Sequence, residues 1–325
     1  MVHYEIVDSK VNTMVVHPQS LFEHEQELAK DFVEGHSSNS NSSIGNCPVC
    51  GHRRDEVLFE KWGQKYAICT NTWSLSLASM PEEEVLKEYF FTSELAQFRA
   101  SQYFQDKVAE NRSEFWESQV EWIDGRIKRY LGADKYDIVD WGTKSVSWYE
   151  ALKDAQFIKN IFIKDPLPPV TEIDIQEKVD AVCLMDVIQR QSNPGNILKQ
   201  VNEALKADGL IIATCRAGSG FDILSLREHS DSVFPFDHIC LPSPQGMKLL
   251  LEQAGFEVLE ITTPGLLDVD FLRKNAGGIS KDQYFQRFIL AQSNELVFER
   301  LQTFLQHNNL SSHLRVVARK VEGKK

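Results

Sequence analysis

From Tyr136 onward the chain alternates short apolar runs with helical ones, and few folds accommodate that order. Apolar runs at 138–139, 161–163, 181–184, 210–213, 258–261 and 314–318 are strand-sized, and helical spacing at 147–154, 194–205 and 243–254 separates them. Strand followed by helix, repeated, predicts an α/β domain: a doubly wound parallel sheet with helices on both faces. A longer helical stretch at 279–307, rich in Phe285, Phe288, Phe298 and Phe304, reads as an insertion before the last strand.

Upstream of this domain the pattern changes. Residues 1–34 carry a modest helical pattern (Leu21, Phe22, Leu28, Phe32), and the polar run at 35–45 reads as a linker. A compact unit follows at 47–81, and helix-like spacing fills 82–131. The expected organisation is therefore an N-terminal segment with linker (1–46), a small unit (47–81), a helical bridge (82–131) and the main domain (132–325). The chain has 35 basic and 47 acidic residues, a net charge of −12, which repels a phosphate backbone and argues against nucleic acid as a partner. No run of apolar residues is long enough to span a membrane and no basic, apolar leader opens the sequence, so a cytoplasmic location is expected. Cys183, Cys215 and Cys240 sit in apolar or mixed segments and read as reduced, buried thiols.

The small unit has its own chemistry. Cys47 and Cys50 form a Cys-x2-Cys turn and Cys69 follows, three quarters of a zinc-ribbon pattern; tetrahedral structural zinc takes four ligands. Where a fourth cysteine would stand there is Thr72, whose neutral hydroxyl is a poor ligand. His52 or His36 can be weighed as substitutes, although His52 is only two residues from Cys50. A metal-free remnant held by Trp62, Tyr66 and Trp73 is the competing reading.

The turn after the first strand of the main domain is where a nucleotide cofactor would be received. Such a turn wants glycines where side chains would collide with the ligand. Asp140 ends the strand and Gly142 stands at the turn, but Thr143, Lys144, Ser145 and Val146 follow. Asp165, at the end of the next strand, is suitably spaced for ribose hydroxyls. Strand-end aspartates also cap turns and helices, so both readings stand.

From about 47 to 320 the chain resembles bacterial class I S-adenosylmethionine-dependent methyltransferases of sugar and surface-polysaccharide pathways that carry an N-terminal zinc-ribbon-like unit. The stretches that carry the resemblance are 47–51, 209–213, 218–223, 254–258, 263–270 and 304–313. The resemblance implies a Rossmann-like class I methyltransferase sheet, plus the small zinc-ribbon-like unit and the helical insertion. It implies S-adenosylmethionine as cofactor at Asp140, Gly142, Asp165 and Asp186, and zinc at Cys47, Cys50 and Cys69. Departures cluster at the chemical positions. Of a Gly-x-Gly-x-Gly loop only Gly142 remains, Gln189 and Arg190 replace a Glu-His pair, and a His-His-x-Asn segment keeps only His238.

Methyl transfer requires alignment of the acceptor and removal of its proton. His238, on a loop beyond a strand end, is the candidate base; a lone loop histidine is more often a hydrogen-bonding residue. Asp222 is a candidate for an acceptor hydroxyl, with helix capping as the alternative. Asp186 can contact cofactor or substrate, and Arg190 can pair with Asp165 or Asp186 or hold a phosphate of a nucleotide sugar. Two functions follow: a methyltransferase acting on a sugar, nucleotide sugar or related small acceptor, or a catalytically inactive relative that binds a protein partner or a glycan. A nicotinamide-dependent oxidoreductase would need the same missing glycines. The aromatic 279–307 segment also allows a homodimer through a helical face.

Overall fold

The computed structural model describes residues 19–36, 44–54, 56–142, 146–164, 178–292 and 294–321. Most of the polar run at 35–45, with Asp165 and the 143–145 turn, lies outside them. Helix α1 (Gln19–Gly35) precedes three strands, β1 (Glu56–Lys61), β2 (Gln64–Cys69) and β3 (Ser74–Leu77). Helices α2 (Glu83–Phe91), α3 (Glu94–Ala100) and α4 (Gln102–Leu131) follow. The bounds of α4 are written in its ends. The Ser101 side chain accepts the Phe104 N–H, Lys128 and Arg129 occupy the last turn, and Gly132 closes it at φ 72°.

The main domain then runs β4 (Tyr136–Trp141), α5 (Val146–Lys153), β5 (Ile158–Lys164), β6 (Val179–Met185), α6 (Pro194–Ala204), β7 (Leu205–Arg216), α7 (Phe221–Leu226), β8 (Cys240–Leu241), α8 (Pro244–Gln253) and β9 (Phe256–Thr262). It ends with α9 (Asp268–Lys274), α10 (Tyr284–Ala291), α11 (Glu295–His307) and β10 (His313–Lys320). A six-stranded sheet has the order β5-β4-β6-β7-β10-β9. The pairs β4–β5, β4–β6 and β6–β7 are parallel, as the sequence pattern predicts. Strand β10 is different and runs antiparallel to both β7 and β9. The inserted helices return the chain to the edge at which β9 ended, so the strand entered from there must be reversed.

Alternation along the strands sorts the core onto two faces. Val139, Val182, Leu184, Ile211, Ala213, Leu314 and Val316 pack with Ile197 and Val201 of α6 and Met247 and Leu251 of α8. Ile138, Ala181, Cys183, Leu210, Ile212 and Val317 pack on the other side with Trp122, Ile123 and Ile127 of α4 and Trp148 of α5. A second, four-stranded sheet has the order β1-β2-β3-β8. Its last strand comes from the main domain: Leu241 lies opposite Leu75 and Cys240 opposite Ser76. Helix α10 leaves Tyr284, Phe285 and Phe288 exposed. Among the described residues, no helix is long and apolar enough to cross a membrane.

Candidate functional site

The chain order places β5 on one side of β4 and β6 on the other, so a crevice opens at the carboxyl ends of β4 and β6, where α/β sheets receive ligands. Asp140 is fully buried at the end of β4. Gly142 follows at φ 112°, a backbone conformation that side chains disfavour. Across the crevice Asp186 also has positive φ, 58°, tolerable for aspartate. Its N–H donates to the Thr214 carbonyl at 3.0 Å, and its Oδ1 accepts the Thr214 hydroxyl at 3.2 Å, which fixes the carboxylate at the head of β6 and β7.

His238 lies beside this crevice on a buried loop. Its Nδ1 accepts the Phe234 N–H at 2.7 Å, which assigns the ring proton to Nε2 and makes the free edge a donor. Burial pushes its pKa down to about 3; Asp237 opposes this, while Arg216 and Arg190 add to it. The loop is held from both sheets. Tyr66 of β2 donates its hydroxyl to the His238 carbonyl at 2.8 Å, and Ile239 N–H donates to the Gln189 carbonyl at 2.7 Å. Gln189 also accepts the Arg216 N–H at 2.6 Å through Oε1. Gln189 thus ties the end of β7 to the histidine loop.

Next to His238, Asp237 collects a buried polar network that sequence reasoning missed. Arg99 of α3 grips it with two nitrogens at 2.8 and 3.3 Å, Tyr89 donates at 2.7 Å, and Arg190 Nε stands 3.6 Å away. Burial would raise the Asp237 pKa, but Arg99 and then Arg190 hold the carboxyl well below its usual range. Among the described residues Arg190 pairs here and not with Asp186. The only sequence signal was two arginines, a tyrosine and an aspartate in separate segments.

Asp222 caps no helix: Gly220 is the N-cap of α7, and no side chain caps it. The fully buried carboxylate instead accepts the hydroxyls of Ser232 and Ser230, tying the 230–232 turn that leads into the histidine loop. Burial and then Asp268 raise its pKa to about 7.

The sulfurs of Cys47, Cys50 and Cys69 all lie within 4.8 Å of one another, with Cys50 and Cys69 3.5 Å apart. Zinc bound tetrahedrally at about 2.3 Å from each sulfur would separate them by about 3.8 Å, so the triad fits the ion. Among the described residues no fourth ligand joins it. Thr72 is buried and donates its hydroxyl to Ser74 at 3.0 Å. His36 stands away, bonded to the Phe32 carbonyl and 3.8 Å from Glu88, while exposed His52 lies against the Cys50 carbonyl at 3.3 Å.

A family profile described as a methyltransferase domain matches residues 85–261, from α2 almost to the end of β9. The chain belongs to this methyltransferase domain family. Similar solved structures include coclaurine N-methyltransferase bound to N-methylheliamine and SAH (12% identity, TM-score 0.39, 92% of this chain and 88% of that one). Another is the plantazolicin methyltransferase BpumL in complex with SAH (13% identity, TM-score 0.40, 74% and 95%). A third is an S-adenosylmethionine-dependent methyltransferase from Clostridium acetobutylicum (8% identity, TM-score 0.40, 64% and 92%). No curated protein matches in sequence. In this methyltransferase family member, the mixed sheet with helices on both faces is the Rossmann-like fold expected from the sequence. The profile leaves out the cysteine turn and β10, so those parts rest on the geometry alone.

Proposed function

We propose that the protein is an S-adenosylmethionine-dependent methyltransferase acting on a sugar, nucleotide sugar or related small acceptor. The observation that carries this reading is the crevice at the carboxyl ends of β4 and β6, with Asp140, Gly142 and Asp186 around it, in a chain of the methyltransferase domain family. When bound, the cofactor supplies a methyl group activated on a sulfonium. We assign Asp140, Gly142, Asp165 and Asp186 to holding it; the positive φ at Gly142 is a backbone conformation that favours glycine where the turn begins.

His238 is assigned to the acceptor. In its present tautomer it would orient an acceptor oxygen by donating from Nε2; service as a base would require breaking the Phe234 contact. Asp222 is assigned a positioning part, through the 230–232 turn, in place of direct contact. We further assign one structural zinc to Cys47, Cys50 and Cys69 in the 47–81 unit, with water or His52 completing four ligands.

The second reading, a binding protein without turnover, is supported by Thr143, Lys144 and Ser145 in place of an open glycine loop and by the low basicity of His238. Incubation with methyl-labelled S-adenosylmethionine and a panel of sugars and nucleotide sugars separates the two. A labelled acceptor that is lost in Asp186→Ala supports methyl transfer; acceptor binding without labelled product supports the second reading.

A further inference from the structure

Arg315 lies on β10 with 6% of its surface exposed, and its buried Nε has no hydrogen-bond acceptor among the described residues. The guanidinium stacks on Trp122 of α4, 4.8 Å from the ring centroid, which orients it without neutralising it. A buried charge without a partner is strongly disfavoured, so the carboxylates on the same face of the sheet matter. Among the described residues none of them pairs with Arg315. Glu260 accepts Arg126 at 2.6 Å and Tyr130 at 2.7 Å, with Arg129 at 3.7 Å, and Asp186 accepts the Thr214 hydroxyl. Burial and then Arg126 lower the Arg315 pKa to about 10, and no carboxylate counters them.

The neighbours of Arg315 add to the imbalance. Residues two apart on a strand share a face, so His313 stands beside Arg315. In the β7–β10 ladder His313 lies opposite Arg216, and Arg315 opposite Thr214. Arg216 is half-buried; its backbone N–H goes to Gln189, and its guanidinium pairs with no carboxylate among the described residues. Burial and then Arg315 push His313 down to about 3 and keep it neutral; Asp186 opposes this and Arg216 adds to it. Two guanidinium groups and a neutral imidazole thus share one end of the sheet face.

We propose that Arg315, Arg216 and His313 bind an anionic group of the methyl acceptor, a carboxylate or a phosphate. This deepens the proposed methyl transfer and rests on it only for the word acceptor. A guanidinium fork matches either oxyanion through paired, charge-assisted hydrogen bonds. The cluster sits at the β7–β10 pair, roughly two strand spacings, or about 10 Å, from the β4–β6 crevice. The acceptor would therefore carry its charge at one end and its methylated atom at the other, and neutral analogues would be poor substrates.

The test needs no turnover. Melting of the full chain is followed in anion-poor Tris buffer with added sodium phosphate or sodium acetate, and with sodium chloride at matched ionic strength. At about 10 mM one of the two oxyanions raises Tm by about 4 °C beyond chloride, and the one that acts identifies the group. Arg315→Met abolishes that rise and, in anion-poor buffer, melts at or above the wild-type temperature, because an apolar side chain replaces an unneutralised charge. Arg216→Gln, at a half-buried position, weakens the rise at least threefold and leaves the anion-poor Tm nearly unchanged. An equal rise in wild type and both variants, no rise beyond chloride, or an Arg315→Met protein that melts well below wild type would each overturn the proposal. Failure of methyl transfer would leave these readings intact, and methylation of neutral acceptors without an anion response would overturn only the anion site.

Discussion

At the residue scale the carboxyl end of the parallel strands is surrounded by buried titratable groups whose pKa values are displaced in opposite directions. Asp222 is raised to about 7, so its contribution to stability is complete below pH 4 and is lost as pH rises through 7. His238 and His313 are lowered to about 3, so theirs is complete above pH 6.5 and is lost as pH falls. The unfolding free energy of Asp222→Asn minus that of wild type should therefore grow from pH 5 to pH 7, with a slope of up to about 1.4 kcal/mol per pH unit. A difference that stays constant over that range would contradict the burial of a protonated Asp222. Asp237→Ala leaves Arg99 without its bidentate partner and should cost about 3 kcal/mol in denaturant unfolding. The strand-end positions of Asp140 and Asp186 were legible in the sequence because each closes an apolar run, whereas His238 was placed only on a loop. Asp237 was not, because its partner Arg99 is 138 residues away. Arg315 was not either, since an arginine inside a strand pattern does not reveal which face it occupies or what lies above it.

At the element scale the small sheet and the main domain are one construction, because β8 completes β1–β3 and directly follows the histidine loop. Ser243 adds to the seam: its N–H donates to the Ser74 hydroxyl at 3.1 Å. Gly218 lies inside it, where a Cβ would come within 2.5 Å of the Leu241 carbonyl and 2.7 Å of the Leu75 N–H. Gly218→Ala should therefore push β3 and β8 apart and destabilise by about 2 kcal/mol, with increased hydrogen exchange at Leu75 and Leu241 N–H as the local signature. The cysteine triad predicts one zinc per chain by elemental analysis; Cys50→Ser should lose the metal and lower Tm, whereas equal metal content in variant and wild type would remove those ligands from the account. The strands of the main sheet and α6, α8 and α5 were legible from periodicity alone. The reversal of β10 was not, since alternation marks a strand but not its direction, and the two-residue β8 is too short to leave a pattern.

On the scale of the whole molecule, the sequence announced the architecture through the order of its elements and announced the chemistry only in part. The family assignment agrees with the sheet, with helices on both faces and with the crevice at the β4–β6 switch point. The sequence departs after Gly142: that glycine keeps its special backbone, while Thr143, Lys144, Ser145 and Val146 follow where a glycine-rich loop is expected. Those departures leave the core intact, because the packing residues of β4 and β6 lie on the strands that precede the turn and the β6 end. The central claim is that this crevice still holds S-adenosylmethionine. Calorimetric titration of the full chain with S-adenosylmethionine and S-adenosylhomocysteine, beside an Asp140→Ala variant shown by circular dichroism to be folded, tests it most directly. The account predicts micromolar binding to wild type, weakened at least tenfold in the variant; no heat from either ligand with folded wild-type protein would contradict it.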